Sequence, residues 1–274
     1  MMEDHLTDPI PVFPGVPPFA AESEEPPCGR PVHKESSDGI LRIGHVSTPV
    51  LEFHPASGKG PHPALLVCPG GGYGYLAWNS EGVDIASFLN TIGCSAFILR
   101  YRCPKQQTAA HADAARAMRL IRSRAEEFNI CPDKLGAIGF SAGAHLCATI
   151  SAPADDTPYP PIDDVDKLSY RPDFTLLIYP AYLVDQESPS LAADSKFRIT
   201  PDLPPFFIAQ SENDNGHIRN SIGWFRNLLD AGVKAELHIW PEGGHGYGLR
   251  RTGFPCQEWP SLAAKWIRQQ TGLQ

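Results

Sequence analysis

The stretch Gly139-Phe140-Ser141-Ala142-Gly143 sets a serine between two glycines, directly after an apolar run and directly before a helical pattern. That context suits a tight strand-to-helix turn, in which the serine backbone is strained and its hydroxyl stands clear. Glycine on either flank lets neighbouring backbone approach without a clash. The helix start behind Ser141 favours negative charge developing beside it. A serine placed this way attacks carbonyl carbon, and it needs a base and an acid that orients the base. The pentapeptide is a weak signal by itself; its position between strand and helix is what gives it weight.

A base and an acid are available further along. His245 lies in Gly243-Gly244-His245-Gly246, just past a predicted strand at 235–240. A glycine-flanked histidine in a loop is rarely a core residue. Asp214 lies in Ser211-Glu212-Asn213-Asp214-Asn215, just past the run 206–210, with Glu212 and Asp185 as competitors for the same role. All leave C-terminal strand ends, the edge at which open α/β sheets build their sites. The order serine, aspartate, histidine is that of the α/β hydrolases. Pro69-Gly70-Gly71-Gly72-Tyr73 follows the run 64–68, and no Lys-Ser or Lys-Thr follows it, which excludes a phosphate-binding P-loop. Its alternative use is an oxyanion hole built from Gly71 and Gly72 with the N–H of Ala142.

Other polar residues read more plainly. His145 suits packing or capping on the helix after Ser141, and His111 and Asp113 lie at a helix start. Tyr73, Tyr75 and Trp78 flank the glycine loop and offer either a sugar-stacking rim or loop packing; Tyr182 and His217 are further rim candidates. No His, Cys or Asp group has metal-ligand spacing, so neither metal nor cofactor is expected.

These loops must hang on a scaffold. Residues 40–43 and 50–53 read as an opening pair of strands, and 64–68 as a buried strand. Ile85, Phe88, Leu89 and Ile92 mark a helix, and 95–99 the next strand. From about 109 to 128 a long helix carries Ala114, Ala117, Met118, Ile121, Ala125 and Phe128 on one stripe, with Arg116, Arg119, Arg122 and Glu126 away from it. Strands at 134–140, 174–179, 206–210 and 235–240 alternate with helices after Ser141, around 218–229 and at 261–268. Such alternation predicts a mostly parallel sheet of eight strands with helices on both faces, and the serine, aspartate, histidine order suits an α/β-hydrolase arrangement of it. Residues 1–38 are Pro-rich and read as an irregular arm packed on one catalytic domain, 39–274. The segment 151–173 enters the sheet from its N-terminal edge, away from the site, while 181–205 leaves a strand end and lies over it. The latter is short and polar, too small for a lid domain, which points to a small pocket for short acyl groups.

A formal net charge of −8 argues against nucleic acid and anionic membranes as partners. No apolar run is long enough to span a bilayer. The first 27 residues have neither the basic start nor the apolar segment of a signal peptide, so a cytoplasmic protein is expected, with a secreted one trimmed of its signal as the alternative. Seven scattered cysteines without CxxC spacing suit free thiols.

The chain resembles the acetyl-xylan-esterase and feruloyl-esterase-like group of α/β hydrolases, whose members often carry endo-xylanase-type names. The stretches that carry this likeness are 68–73, 99–102, 113–119, 139–145, 177–180, 236–240 and 243–248, spread over roughly residues 60–270. The resemblance places the nucleophile on Ser141, the acid on Asp214, the base on His245, and the oxyanion donors on Gly70–Gly72 and Ala142. Where the group commonly has an Asp-Asp-Pro turn at the acid, this chain reads Asn213-Asp214-Asn215-Gly216-His217, which leaves one aspartate. The implied activity is a serine carboxylester hydrolase acting on short-chain or carbohydrate esters. The alternatives are a peptidase like the prolyl-oligopeptidase catalytic domain, for whose propeller or cap there is no room, and a non-catalytic interaction protein.

Overall fold

The computed structural model describes residues 8–20, 32–35, 37–155, 157–185 and 187–273. Eleven strands and five α-helices alternate along them. The strands are β1 (Ile10–Pro11), β2 (Val32–Glu35), β3 (Leu41–Gly44), β4 (Val50–His54), β5 (His62–Cys68), β6 (Leu76–Ala77), β7 (Ser95–Arg100), β8 (Ile130–Phe140), β9 (Thr175–Ile178), β10 (Phe206–Ser211) and β11 (Ala235–Trp240). The helices are α1 (Asp84–Thr91), α2 (Gln107–Ser123), α3 (Ala142–Ser151), α4 (Ile218–Asp230) and α5 (Trp259–Thr271).

Eight strands form the main sheet in the order β1-β4-β7-β5-β8-β9-β10-β11. From β7 to β11 every neighbouring pair is parallel, while β4 and β1 add antiparallel strands at one edge. The central strands β5 and β8 are apolar over residues 64–68 and 137–140, where helices cover both faces. The chain steps from β5 to β7 in one direction and then jumps back past β5 to β8. With right-handed crossovers, that reversal puts α1 on one face and α2, α3 and α4 on the other. Helix α5 returns to the face of α1, where Trp259 meets Phe88 edge-on at 6.1 Å. The reversal opens a crevice at the C-terminal ends of β5 and β8. The glycine loop after β5 and Ser141 after β8 both sit there.

Several elements differ from the sequence expectation. Strands β3 and β4 do not pair with each other: β3 lies between β2 and β6 in a separate three-stranded sheet, and β4 joins the main sheet against β7. The N-terminal arm is not irregular throughout, since β1 pairs with β4 and β2 with β3. Val12 and Phe13 are buried in the core. Helix α2 ends at Ser123, short of Phe128, and its polar side is not free. Arg116 is buried and bonds Asp163 and Asp166 at 2.7 and 2.9 Å; Arg119 donates to the Leu168 carbonyl and Arg122 to that of Arg171. The segment after α3 folds back over this helix and turns its arginine row into an interior seam.

The same segment is also joined to the loop 181–205. The Ala154 N–H donates to the Lys196 carbonyl and the Arg198 N–H to that of Ala152, so it is tied to the loop over the sheet edge. That loop, 181–205, contains no helix or strand element among its described residues. No helix of the described residues is long and apolar enough to cross a membrane. The six cysteines among the described residues are free thiols; Cys28 lies outside them.

Candidate active site

Ser141 occupies the turn between β8 and α3 with φ 51° and ψ −116°, a backbone conformation that costs an L-residue roughly 1–3 kcal/mol. Its neighbours explain why the turn must be glycine-flanked. A Cβ on Gly139 would stand 2.2 Å from the Gly143 carbonyl oxygen, and one on Gly143 would stand 2.0 Å from that of Cys68. The turn is clamped by backbone bonds: the Ser141 N–H donates to Ile178, and the Ser141 carbonyl accepts from Ala144, His145 and Ala181. Ala142 opens α3, so its N–H has no partner within the helix.

The loops after β10 and β11 deliver the two other groups. Ser141 Oγ lies 2.8 Å from His245 Nε2, and His245 Nδ1 lies 2.6 Å from Asp214 Oδ2. Asp214 is buried, and three side chains converge on it. Gln210 Nε2 donates to Oδ2 at 2.9 Å, and His217 Nδ1 sits 3.1 Å from Oδ1. Burial alone would push the Asp214 carboxyl up, but the hydrogen bonds from His217, His245 and Gln210 outweigh it and hold the group far below the usual carboxylate range. His217 also stacks on His245, with ring centroids 4.2 Å apart. The fold thereby gathers Asp214, His217 and His245 with ligand atoms within 4.8 Å of one another, a grouping their sequence spacing did not suggest. A metal there would have to displace the hydrogen bonds just described. Of the competing acids, Glu212 and Asp185 have exposed side chains, and Asp185 accepts from the Glu187 N–H.

The glycine loop borders Ser141. A Cβ on Gly70 would lie 3.0 Å from that of Ser141, and one on Gly71, at φ 130°, would collide with the Tyr75 carbonyl at 2.1 Å. The Gly71 carbonyl accepts from Gly74, and the Gly70 carbonyl from Ala77, which closes the loop on itself. Among the described residues no acceptor takes the N–H of Gly71 or Gly72.

The aromatic rim is smaller than the sequence suggested. Tyr73 is only 3% exposed, because its ring turns inward and its hydroxyl meets His145 Nδ1 at 2.7 Å. Trp78 is 5% exposed, with the Arg100 guanidinium over its face. Neither can stack on a sugar. Tyr75 is half-buried under Arg42, and His217 is half-buried against His245. Tyr182 keeps its ring in solvent at 47% exposure, and its hydroxyl lies 3.9 Å from a Cβ built on Gly72.

His145 is a buried interior group. Burial, reinforced by Lys196, lowers its imidazole to about 4. Between that value and the ordinary value of about 6.5 the unfolded chain binds a proton that the folded chain refuses, so stability is lost as pH falls through this window. We expect unfolding free energy from urea titration to fall by about 3 kcal/mol from His145 alone between roughly pH 7 and pH 4. His111, also lowered to about 4 by burial, acts in the same sense. His145→Gln should make the decline shallower; an unchanged slope would show that His145 does not titrate this way.

Three contributors were not visible in the sequence. Glu81 is buried beneath the glycine loop, where Oε2 accepts the Gly70 N–H at 2.7 Å and Oε1 accepts the Tyr179 hydroxyl at 2.8 Å. Tyr179 in turn accepts the Gly248 N–H, so Glu81 fastens the glycine loop to the loop that carries His245. Burial raises the Glu81 carboxyl, opposed by those two hydrogen bonds. Gln210, the third, holds Asp214. Glu81→Ala leaves two buried donors without an acceptor and should cost about 1–3 kcal/mol for each. Chemical denaturation checks this, and a loss within a few tenths of a kcal/mol would contradict the fastening.

The BD-FAE family model matches residues 53–171. An acetylxylan esterase of Xylanibacter ruminicola is 29% identical over 209 residues, 68% of this chain and 41% of that protein. An endo-1,4-beta-xylanase B of Butyrivibrio fibrisolvens is 30% identical over 214 residues, 69% of this chain and 33% of that protein. The chain thus spans less than half the length of these curated relatives. Among solved structures, an acetyl ester-xyloside bifunctional hydrolase from Caldicellulosiruptor lactoaceticus matches with a TM-score of 0.77 at 29% identity, covering 95% of both chains. An esterase of Thermogutta terrifontis shares the fold, with a TM-score of 0.70 at 20% identity over 88% of this chain and 92% of that one. The chain is an α/β hydrolase by fold, and it resembles carboxylic ester hydrolases of the acetylxylan-esterase group.

Proposed function

We propose that this chain hydrolyses short acyl esters, acetyl first, of carbohydrate alcohols through a Ser141–His245–Asp214 triad and an acyl-enzyme. The observation that carries the reading is the continuous hydrogen-bonded line from Ser141 Oγ through His245 to the buried Asp214 carboxylate. His245 Nε2 takes the Ser141 proton as Oγ attacks the ester carbonyl. Asp214 holds the ring with Nδ1 protonated and stabilises the imidazolium. The N–H groups of Gly71, Gly72 and Ala142 receive the oxyanion. The alcohol leaves with the proton from His245, and water then enters by the same base to release the acid. The acetyl ester named for the Caldicellulosiruptor hydrolase supports the acyl half of the substrate, and the acetylxylan named for the Xylanibacter esterase supports a carbohydrate alcohol.

The test sets p-nitrophenyl acetate beside an aminoacyl p-nitroanilide. Turnover of the ester alone is expected; turnover of the anilide alone would favour a peptidase, and of neither a non-catalytic role. Acyl length gives a second expectation. The described residues of the loop 181–205 supply no helix to cover a long chain, so additional methylenes would gain little of the roughly 0.8 kcal/mol that burying each one provides. The kcat/KM should be highest from acetyl to butyryl and fall beyond about eight carbons. A steady rise to palmitoyl esters would reject this.

A further inference from the structure

We propose that Phe19, supplied by the N-terminal arm, forms the stacking platform of a subsite for the leaving sugar. This rests on the esterase reading above and adds where the alcohol half docks. A cavity of about 540 Å³ opens beside Gly72 of the glycine loop, and Phe19 and residues 105–109 complete its wall. A second cavity of about 390 Å³ continues along α3 past His145 and shares Phe19 and Tyr73 as lining. Both adjoin the loop that borders Ser141, and both far exceed what an acetyl group fills.

The arm is built to hold Phe19 there. Strand β1 pairs with β4, the Arg116 guanidinium donates to the Val12 carbonyl, and the Arg102 guanidinium donates to the Pro18 carbonyl at 2.6 Å. Arg102 is itself fully buried and paired with Asp113 at 2.7 Å. An arm residue is thus fixed by a rigid interior ion pair one position before Phe19. Phe19 then leaves the ordinary backbone region, at φ 57°, and keeps 49% of its surface in solvent. A large aromatic held in a strained conformation and left half-bare has not been placed there to fill the core.

The chemistry of the wall selects the ligand class. Lys105, Gln106, Gln107 and Thr108 line the same cavity as Phe19 and bring donors and acceptors to it. An alkyl chain gains nothing from such a lip, whereas a pyranose presents a C–H face to an aromatic ring and hydroxyls to its surroundings. The Lys105 N–H donates to the Tyr73 carbonyl, which ties the polar lip to the glycine loop. Phe19 lies outside the segment that matches the BD-FAE family model, so this preference would belong to the arm rather than to that segment.

The test compares acetylated xylobiose with ethyl acetate, whose alcohol is too small to reach the platform. Phe19→Ala should lower kcat/KM on acetylated xylobiose about five- to tenfold, through KM, and leave ethyl acetate within about twofold. Phe19→Trp should restore the xylobiose ester. Equal losses on both substrates, or no loss on either, would overturn the subsite. Binding of unacetylated xylobiose by saturation-transfer NMR separates this from the esterase reading. Wild type should bind it better than Phe19→Ala even if neither ester is turned over, and equal binding would overturn the proposal.

Discussion

Replacing Ser141 with alanine should remove at least about three orders of magnitude of ester hydrolysis while the fold persists. Triad members act as a unit, so loss of the nucleophile costs about as much as loss of all three. What remains should come from the N–H groups of the glycine loop and Ala142 and from binding. The elbow adds a stability signature that a plain surface serine would not give. At φ 51° and ψ −116° an alanine keeps the backbone strain of the serine, whereas a glycine escapes it. Ser141→Gly should be as inactive as Ser141→Ala yet unfold at higher denaturant, by about 1 kcal/mol. A Ser141→Ala variant that retains a tenth of the activity would remove the serine from the mechanism.

Asp214→Asn should cost about two to four orders of magnitude in kcat, by analogy with other triads. The carboxylate accepts from donors on both oxygens, with Gln210 and His245 on Oδ2 and His217 on Oδ1. An asparagine accepts on one side only and turns its NH2 toward a donor on the other. With its NH2 toward Nδ1 it would force the wrong tautomer on His245, and with its carbonyl there it would hold the ring but lack the negative charge that stabilises the imidazolium. Asp185→Asn and Glu212→Gln change exposed groups and should remain within several-fold of the parent. A crippled Asp185→Asn beside a nearly normal Asp214→Asn would assign the acid to the earlier loop.

The parts of this site legible in the sequence are those marked by backbone punctuation. Gly139 and Gly143 around Ser141, the run Gly70 to Gly72, and Gly243 to Gly246 around His245 each announce a turn at a strand end. The fold brings the side chains of Ser141, His245 and Asp214 into hydrogen-bonding line. Strand β11 falls at residues 235–240, where the sequence predicts it. What was hidden depends on which surface covers which. Arg116 looked solvent-facing because its apolar stripe lies opposite, and only the returning segment with Asp163 and Asp166 buries it. Tyr73 and Trp78 looked like a rim because they flank a loop, yet one turns in to His145 and the other is roofed by Arg100. Glu81 gave no pattern at all, because its partners Gly70 and Tyr179 come from two different strand ends. Two short strands adjacent in sequence, β3 and β4, paired elsewhere because register is set by partners that local sequence does not name.

In the proposed reaction Ser141 carries the covalent intermediate. Diethyl p-nitrophenyl phosphate, an ester whose phosphorylated serine is slow to hydrolyse, tests it most directly. Intact-protein and peptide mass spectrometry should find one diethylphosphoryl group per chain, on Ser141, with esterase activity lost in step and no label on Ser141→Ala. Full activity in protein whose Ser141 is quantitatively labelled, or inactivation with the group on another residue and Ser141 unmodified, would contradict it.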